Sequence, residues 1–255
     1  MSAVTAADSA YQNAAFIPGG DAYRARWAGQ GAAFRETAKA ALDVPYGPGA
    51  RQRFDLFLPE GTPRGVVMFI HGGYWMAMDR KNFSHLAAGP LARGWAVAMP
   101  SYTLAPEARI GAMTLEVVQA ARAIGAQVAG PMVVTGHSAG GHLAARMGNL
   151  GGVARVLPIS PLSDLGPLMA TTMNGTLGIT DGEAARESPA YLPLKTQAHV
   201  WVGGQERPAF LWHARTLSEN WACDWTVAEG KHHFDVIDDL CHPASALVST
   251  LVAGH

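Results

Sequence analysis

Residues 132–147 read MVVTGHSAGGHLAARM, and what they form decides the fold. The run 132–135 is apolar throughout, as expected of a strand covered on both faces. The run 143–147 has the look of a helix. Between them lies Gly136-His137-Ser138-Ala139-Gly140, a G-x-S-x-G pattern set between strand and helix. In that setting a serine is held in a strained turn, and side chains two positions away on either side would collide with neighbouring elements. The helix that follows points its free N–H groups at the serine, where negative charge is favoured. A chain with 29 glycines produces the bare pattern readily by chance. The flanking strand and helix are what make Ser138 the candidate nucleophile.

Attack by a serine on an acyl carbon creates an oxyanion, which needs preorganised donors. The N–H of Ala139, directly after the serine, is one candidate. A glycine-bearing loop after an earlier strand should supply the others, and His71-Gly72-Gly73-Tyr74-Trp75 follows the apolar run 66–70. Bare backbone at Gly72 and Gly73 can approach a substrate closely. The backbone, not the imidazole, serves this motif, so His71 is expected to be structural. Tyr74 and Trp75 are expected as a flat apolar wall for a planar substrate, with core packing the competing role, above all for Trp75.

A serine nucleophile of this type is followed in the chain by an acid and then a histidine. Glu206 follows the run 199–202 and is the expected acid, with Asp164 held in reserve. After the run 223–227 come His232 and His233. Phe234 and Ile237 start an apolar stripe that fixes the loop end nearest His233, which is therefore preferred as general base. The remaining histidines, His137 and His142 included, are expected to pack or hydrogen-bond, and none has zinc-ligand spacing.

The wider chain agrees with an α/β fold built on a mostly parallel sheet. Expected strands are 53–58, 66–70, 96–99, 132–135, 154–159, 199–202 and 223–227, with the alternating 53–58 read as antiparallel or peripheral. Expected helices are 23–41, 114–128, 209–220 and 235–252, the second with a stripe through Leu115, Val118, Ala121 and Ile124 or Gly125. The Pro- and Gly-punctuated stretch 161–193 is expected to be an inserted excursion forming a small cap. Residues 1–43 form an arm of unassigned role, and 1–255 is expected to be a single domain. Apolar residues are 49% of the chain, charged residues 15%, and the net charge is −1, with no basic stripe. Nucleic acid and anionic membrane are poor partners for such a surface. The N-terminus lacks a basic head and an apolar run, no stretch is long enough to span a membrane, and two cysteines are too few for a disulfide framework, so a cytoplasmic location is expected. Cys223 is expected as a buried free thiol. No metal or organic cofactor is implied, a homo-oligomer is left open, and the expected partner is a small-molecule acyl substrate.

Taken together the motifs resemble the arylformamidase (kynurenine formamidase) branch of the α/β-hydrolase superfamily, near the hormone-sensitive-lipase-like esterases. The resemblance runs through VPYGPGARQRFDLFLP at 44–59, HGGYW with Asp79 and Lys81 beyond it, SYTLAPEA at 101–108, GHSAGGHLA, the stretches 163–180 and 188–190, VGGQERPAF and HHFDVI. HGGYW is more specific than G-x-S-x-G, since general esterases of the superfamily usually lack the aromatic pair. The resemblance implies an α/β-hydrolase fold with a cap from 161–193. It also implies a triad at Ser138, Glu206 and His233, and hydrolysis of N-formyl-kynurenine to kynurenine and formate. Animal enzymes of the branch carry Asp where this chain has Glu206. A carboxylesterase or thioesterase of other small acyl groups is the neighbouring expectation. A non-catalytic binding protein on the same fold is the distant one, disfavoured because it needs none of the three residues.

Overall fold

The computed structural model describes residues 5–254, so the first four residues of the arm and His255 lie outside the described residues. Eight strands make one sheet: β1 Ala40–Pro45, β2 Arg53–Phe57, β3 Val66–Ile70, β4 Ala96–Pro100, β5 Met132–His137, β6 Arg155–Ile159, β7 Gln197–Gly203 and β8 Asp224–Ala228. Their spatial order is β1-β2-β4-β3-β5-β6-β7-β8. β2 runs antiparallel to both its neighbours, and every other pair is parallel. Among the described residues the helices are α1 Ala6–Tyr11, α2 Tyr23–Thr37, α3 Ala88–Ala92, α4 Ile110–Gly125, α5 Ala139–Leu150, α6 Asn174–Leu177, α7 Asp181–Glu187, α8 Pro208–Trp221 and α9 Ala246–Leu251. None of them is long and apolar enough to cross a membrane.

The central strands are apolar because both their faces are covered. Along β3, Val66, Met68 and Ile70 join a core with residues of α4, α5 and α8, such as Met113, Leu143 and Phe210. Val67 and Phe69 join the opposite core with Trp27 of α2, Phe83 and Leu247 of α9. Alternate side chains of one strand therefore feed two separate cores. The N-terminal arm is thus part of the fold, with α2 packed on one face of the sheet.

Four expectations are corrected. β1 was not expected: ALDVP has no apolar run, and pairing with β2 rather than burial defines it. It also ends the expected helix 23–41 at Thr37. Helix α4 begins at Ile110, and its buried stripe is Ile110, Met113, Val117, Ala120 and Ile124. Leu115, placed on the stripe by its spacing, is exposed. The expected helix 235–252 is broken into a 3₁₀ turn at Asp238–Cys241 and the short α9. Pro243 lies between them without an N–H to donate, and Ser245 then caps α9 by accepting from the N–H of Val248 at 3.1 Å. Finally, Cys223 is free but only half-buried, because it adjoins β8, an edge strand whose Trp225 and Val227 are exposed.

The stretch 161–193 leaves the end of β6 and returns before β7 as α6, α7 and two 3₁₀ turns. Ion pairs between Arg109 and Glu183 and between Arg146 and Glu187 fasten it to α4 and α5. Asn149 Nδ2 donates to the carbonyls of Leu192 at 3.0 Å and Pro193 at 3.2 Å.

Candidate active site

The C-terminal ends of β3 and β5 and the loop after β8 meet at one cavity. Ser138 stands between β5 and α5 at φ 59° and ψ −118°, a backbone state that L residues rarely adopt. The surrounding glycines are fixed by contact. A Cβ on Gly136 would strike the carbonyl of Gly140, and one on Gly140 would strike the carbonyls of Ile70 and His71. The turn is pinned by the Ser138 N–H, which donates to the Ile159 carbonyl at 2.9 Å.

The loop after β3 lies directly against this turn. A Cβ on Gly72 would sit 2.8 Å from the His137 carbonyl and 3.2 Å from Ser138 Cβ. Gly73 takes φ 105°, and Tyr74, Trp75 and Met78 also have positive φ. Among the described residues nothing accepts a hydrogen bond from the N–H groups of Gly72, Gly73 or Ala139. That leaves three backbone donors free beside the serine. His71 holds the loop from behind. Its Nδ1 donates to the Gly72 carbonyl at 2.8 Å, and its ring stacks on Tyr102 at 4.6 Å. Burial lowers its pKa to about 4, so the ring stays neutral.

Glu206, in the loop after β7, and His233, after β8, form a buried pair with His233 Nδ1 2.6 Å from Glu206 Oε2. The other carboxylate oxygen accepts from the Gly203 N–H at 2.9 Å and from the Ser160 hydroxyl. Three donors thus fix one carboxylate. His232 faces elsewhere. Its Nε2 meets the Tyr23 hydroxyl at 3.2 Å, and its Nδ1 accepts from the N–H groups of Phe234 and Asp235. Asp164, the reserve acid, is occupied within the 161–193 stretch, accepting from Tyr191 Oη and the Gly166 N–H. Ser160 was not expected. It ends the β6 run at φ 48°, and only its place directly after a buried strand marks it in the sequence.

Ser138 and His233 open on a cavity of about 960 Å³, which Gly72, Gly73 and Tyr74 also line. Trp75 does not line it: the indole is fully buried and meets His142 edge-on at 5.1 Å. The left-handed backbone at Tyr74 and Trp75 sends one ring to the cavity and the other into the core. Instead Trp27, Phe83 and Phe234 form an aromatic wall, with Trp27 5.2 Å from Phe83 and 5.4 Å from Phe234. The arm adds Asp8, Tyr11, Asn13 and Asp21, and the 161–193 stretch adds Thr172 and Met173. Asp8 joins the two, accepting from the N–H of Thr172 at 2.7 Å and its hydroxyl at 2.9 Å. These bonds, with those from Thr5, hold the Asp8 pKa down at about 2. The pKa of His137 beside the serine is lowered well below the usual range by burial, with neighbouring His233 adding to it. No group of three or more His, Cys, Asp or Glu side chains among the described residues is placed to hold a metal ion.

A strained serine before a helix, with free backbone donors and a buried carboxylate–imidazole pair, is the site architecture of an α/β-hydrolase, and the sheet order carries it. Comparison with known proteins narrows the class. The BD-FAE family model matches residues 54–158. A crystal structure described as a candidate thioesterase from Silicibacter sp. TM1040 superposes with a TM-score of 0.95 at 48% identity, covering 98% of this chain and 100% of that one. Kynurenine formamidase of Salmo salar is 29% identical over 235 residues, which is 81% of this chain and 79% of that protein. An esterase of Pyrobaculum calidifontis has a TM-score of 0.67 at 19% identity, covering 91% of this chain and 94% of that one, and shares the fold. The chain has the α/β-hydrolase fold, it is similar to kynurenine formamidases and to esterases of that fold, and these likenesses support hydrolase activity on small substrates.

Proposed function

We propose that the protein is a serine hydrolase that removes a small acyl group from an aryl amide or ester, with N-formyl-kynurenine the best-fitting substrate. The observation that carries the reading is that Ser138 and His233 open on one cavity, with His233 Nδ1 2.6 Å from the buried Glu206 carboxylate. His233 takes the Ser138 proton as Oγ bonds to the acyl carbon, while Glu206 holds the imidazole tautomer and stabilises the imidazolium. The N–H groups of Gly72, Gly73 and Ala139 receive the oxyanion. His233 then returns the proton to the leaving nitrogen or oxygen, and water repeats the sequence on the acyl-serine.

A cavity of about 960 Å³ is far larger than a formyl group needs, so the leaving group sets its size. The wall of Trp27, Phe83 and Phe234 suits an aryl leaving group. A formanilide is also the easier amide to cleave, because the ring shares the nitrogen lone pair. Thioester hydrolysis is the second reading, favoured by the 48% identical relative described as a candidate thioesterase. Among the described residues the lining holds no Lys or Arg, which disfavours a leaving group bearing phosphates.

Loss of formanilide absorbance from N-formyl-kynurenine, measured beside short-chain p-nitrophenyl and thiophenyl esters, tests the proposal. The expected kcat/KM on the formanilide is about 10⁴ M⁻¹s⁻¹ or more, abolished by Ser138→Ala. Ester or thioester cleavage alone would overturn the substrate, and full activity in Ser138→Ala would overturn the mechanism.

A further inference from the structure

Two of the peptides that carry the free N–H groups beside Ser138 are held from their other end. The peptide joining His71 to Gly72 has the Gly72 N–H on one side and the His71 carbonyl on the other, and a trans peptide points the two in opposite directions. That carbonyl accepts from Tyr102 Oη at 3.0 Å, with both residues fully buried. The next peptide carries the Gly73 N–H. Its carbonyl, that of Gly72, accepts from His71 Nδ1 at 2.8 Å. Two of the three donors assigned to the oxyanion are therefore backed by a donor of their own. Tyr102 lies in the segment after β4, and no step of the proposed reaction uses it.

The Tyr102 side chain has little freedom. Its ring stacks on His71 at 4.6 Å, with 10° between the planes. Its carbonyl accepts from Arg51 Nε at 2.8 Å, and Arg51 Nη2 donates to the Met78 carbonyl at 2.8 Å. Burial raises the Tyr102 pKa, so the hydroxyl keeps the proton it donates. Other bonds already hold the shape of the loop. The Ala105 N–H donates to the Trp75 carbonyl at 2.8 Å, and the Gly73 carbonyl accepts from the N–H groups of Met76 and Ala77 at 3.0 Å. The Tyr102 hydroxyl acts instead on the one carbonyl whose peptide presents the Gly72 N–H.

We infer that Tyr102 is a positioning residue for the acyl transfer, its hydroxyl aiming and polarising the Gly72 N–H through the His71–Gly72 peptide. This rests on the proposed acyl-transfer reading and adds one residue to it. An oxyanion donor is worth about 10²- to 10³-fold in kcat. A hydrogen bond behind a donor strengthens it by about 10–30%, which here is about two- to eightfold in rate. Loss of the fixed direction adds to this, so removal of the hydroxyl should cost about tenfold in all. The neutral carbonyl of bound substrate gains less from the same donor than the oxyanion does, so KM should move little.

Tyr102→Phe, which keeps the ring on His71, tests the inference with p-nitrophenyl acetate and a pair of ketones. Trifluoroacetophenone takes up Ser138: Oγ bonds to the carbonyl carbon, the carbonyl π pair passes to oxygen, and His233 receives the serine proton. Acetophenone offers the same ring but resists addition. The variant should lose about tenfold in kcat with KM within about twofold. It should also lose about tenfold in affinity for trifluoroacetophenone, with acetophenone unchanged. Equal losses for the two ketones, or easier urea unfolding with kcat intact, would mark a purely structural side chain and overturn the inference. Replacing Tyr102 by 3-fluorotyrosine, whose hydroxyl is the stronger donor, keeps the bond and should tighten trifluoroacetophenone. Unchanged or weaker binding there would contradict the inference. A wild-type protein that binds both ketones equally would sink the acyl-transfer reading itself, and the inference with it.

Discussion

The floor and the roof of the cavity are built on different principles. The floor, at the ends of β3, β5 and β6, is backbone: Gly72, Gly136 and Gly140 sit where a Cβ would collide, and Ser138 and Ser160 hold positive φ. The roof, from the N-terminal arm and the 161–193 stretch, is side chain: Tyr11, Asn13, Trp27, Thr172 and Met173, with Asp8 joined to Thr172 by two hydrogen bonds. A backbone-built region tolerates little change, and in the proposed mechanism it performs the chemistry. A side-chain-built region can vary its lining without moving the floor, and it faces the leaving group. The comparison teaches where reaction and selectivity are expected to separate in this molecule.

The largest expected effect concerns the buried histidines on which this framework rests. His71, His142 and His213 have pKa values lowered by burial to about 4, 3 and 4. The unfolded chain binds their protons first, so stability is intact above the unfolded value near 6.5. It is lost as pH falls from there toward the folded values. Each ring contributes a slope of about 1.4 kcal/mol per pH unit in that window. Asp8, with its lowered pKa of about 2, acts only below the usual carboxylate value of 3.8. Urea unfolding at pH 7, 6 and 5 should therefore show a fall above the ordinary carboxylate range, and a flat profile down to pH 5 would contradict it.

Within the floor, Glu206→Ala should lower kcat by about 10³- to 10⁴-fold, because the carboxylate fixes the His233 tautomer. A loss confined to KM would remove Glu206 from the chemistry. Gly72→Ala should cost about 10²-fold in kcat, since its Cβ would press on the His137 carbonyl and displace free N–H donors. The smallest effect belongs to the roof. Asp8→Ala releases both bonds to Thr172 and should raise KM about fivefold while kcat moves little. A comparable fall in kcat would erase the distinction between floor and roof.

The floor was legible in the sequence because steric necessity leaves a residue signature. Only glycine fits at 136 and 140, and only an apolar run can lie between two covered faces. The same logic reached seven of the eight strands and brought Glu206 and His233 to one place. The roof left no such signature. Trp27 lines the cavity from a helix some 110 residues before the serine in the chain, and nothing local distinguishes it from an ordinary core tryptophan. Trp75 misled for the converse reason: adjacent aromatics suggested a shared wall, but successive left-handed residues point them apart. Ser160 was hidden because its role is a hydrogen bond to a residue 46 positions away.

The central claim is that Ser138 is the nucleophile of this framework. Reaction with a fluorophosphonate, followed by mass spectrometry of the digested protein, tests it most directly. The account predicts a single phosphonyl adduct on the peptide containing Ser138, absent in Ser138→Ala and formed far more slowly in His233→Ala. An adduct on another residue, or an unlabelled Ser138 in the folded protein, would contradict it.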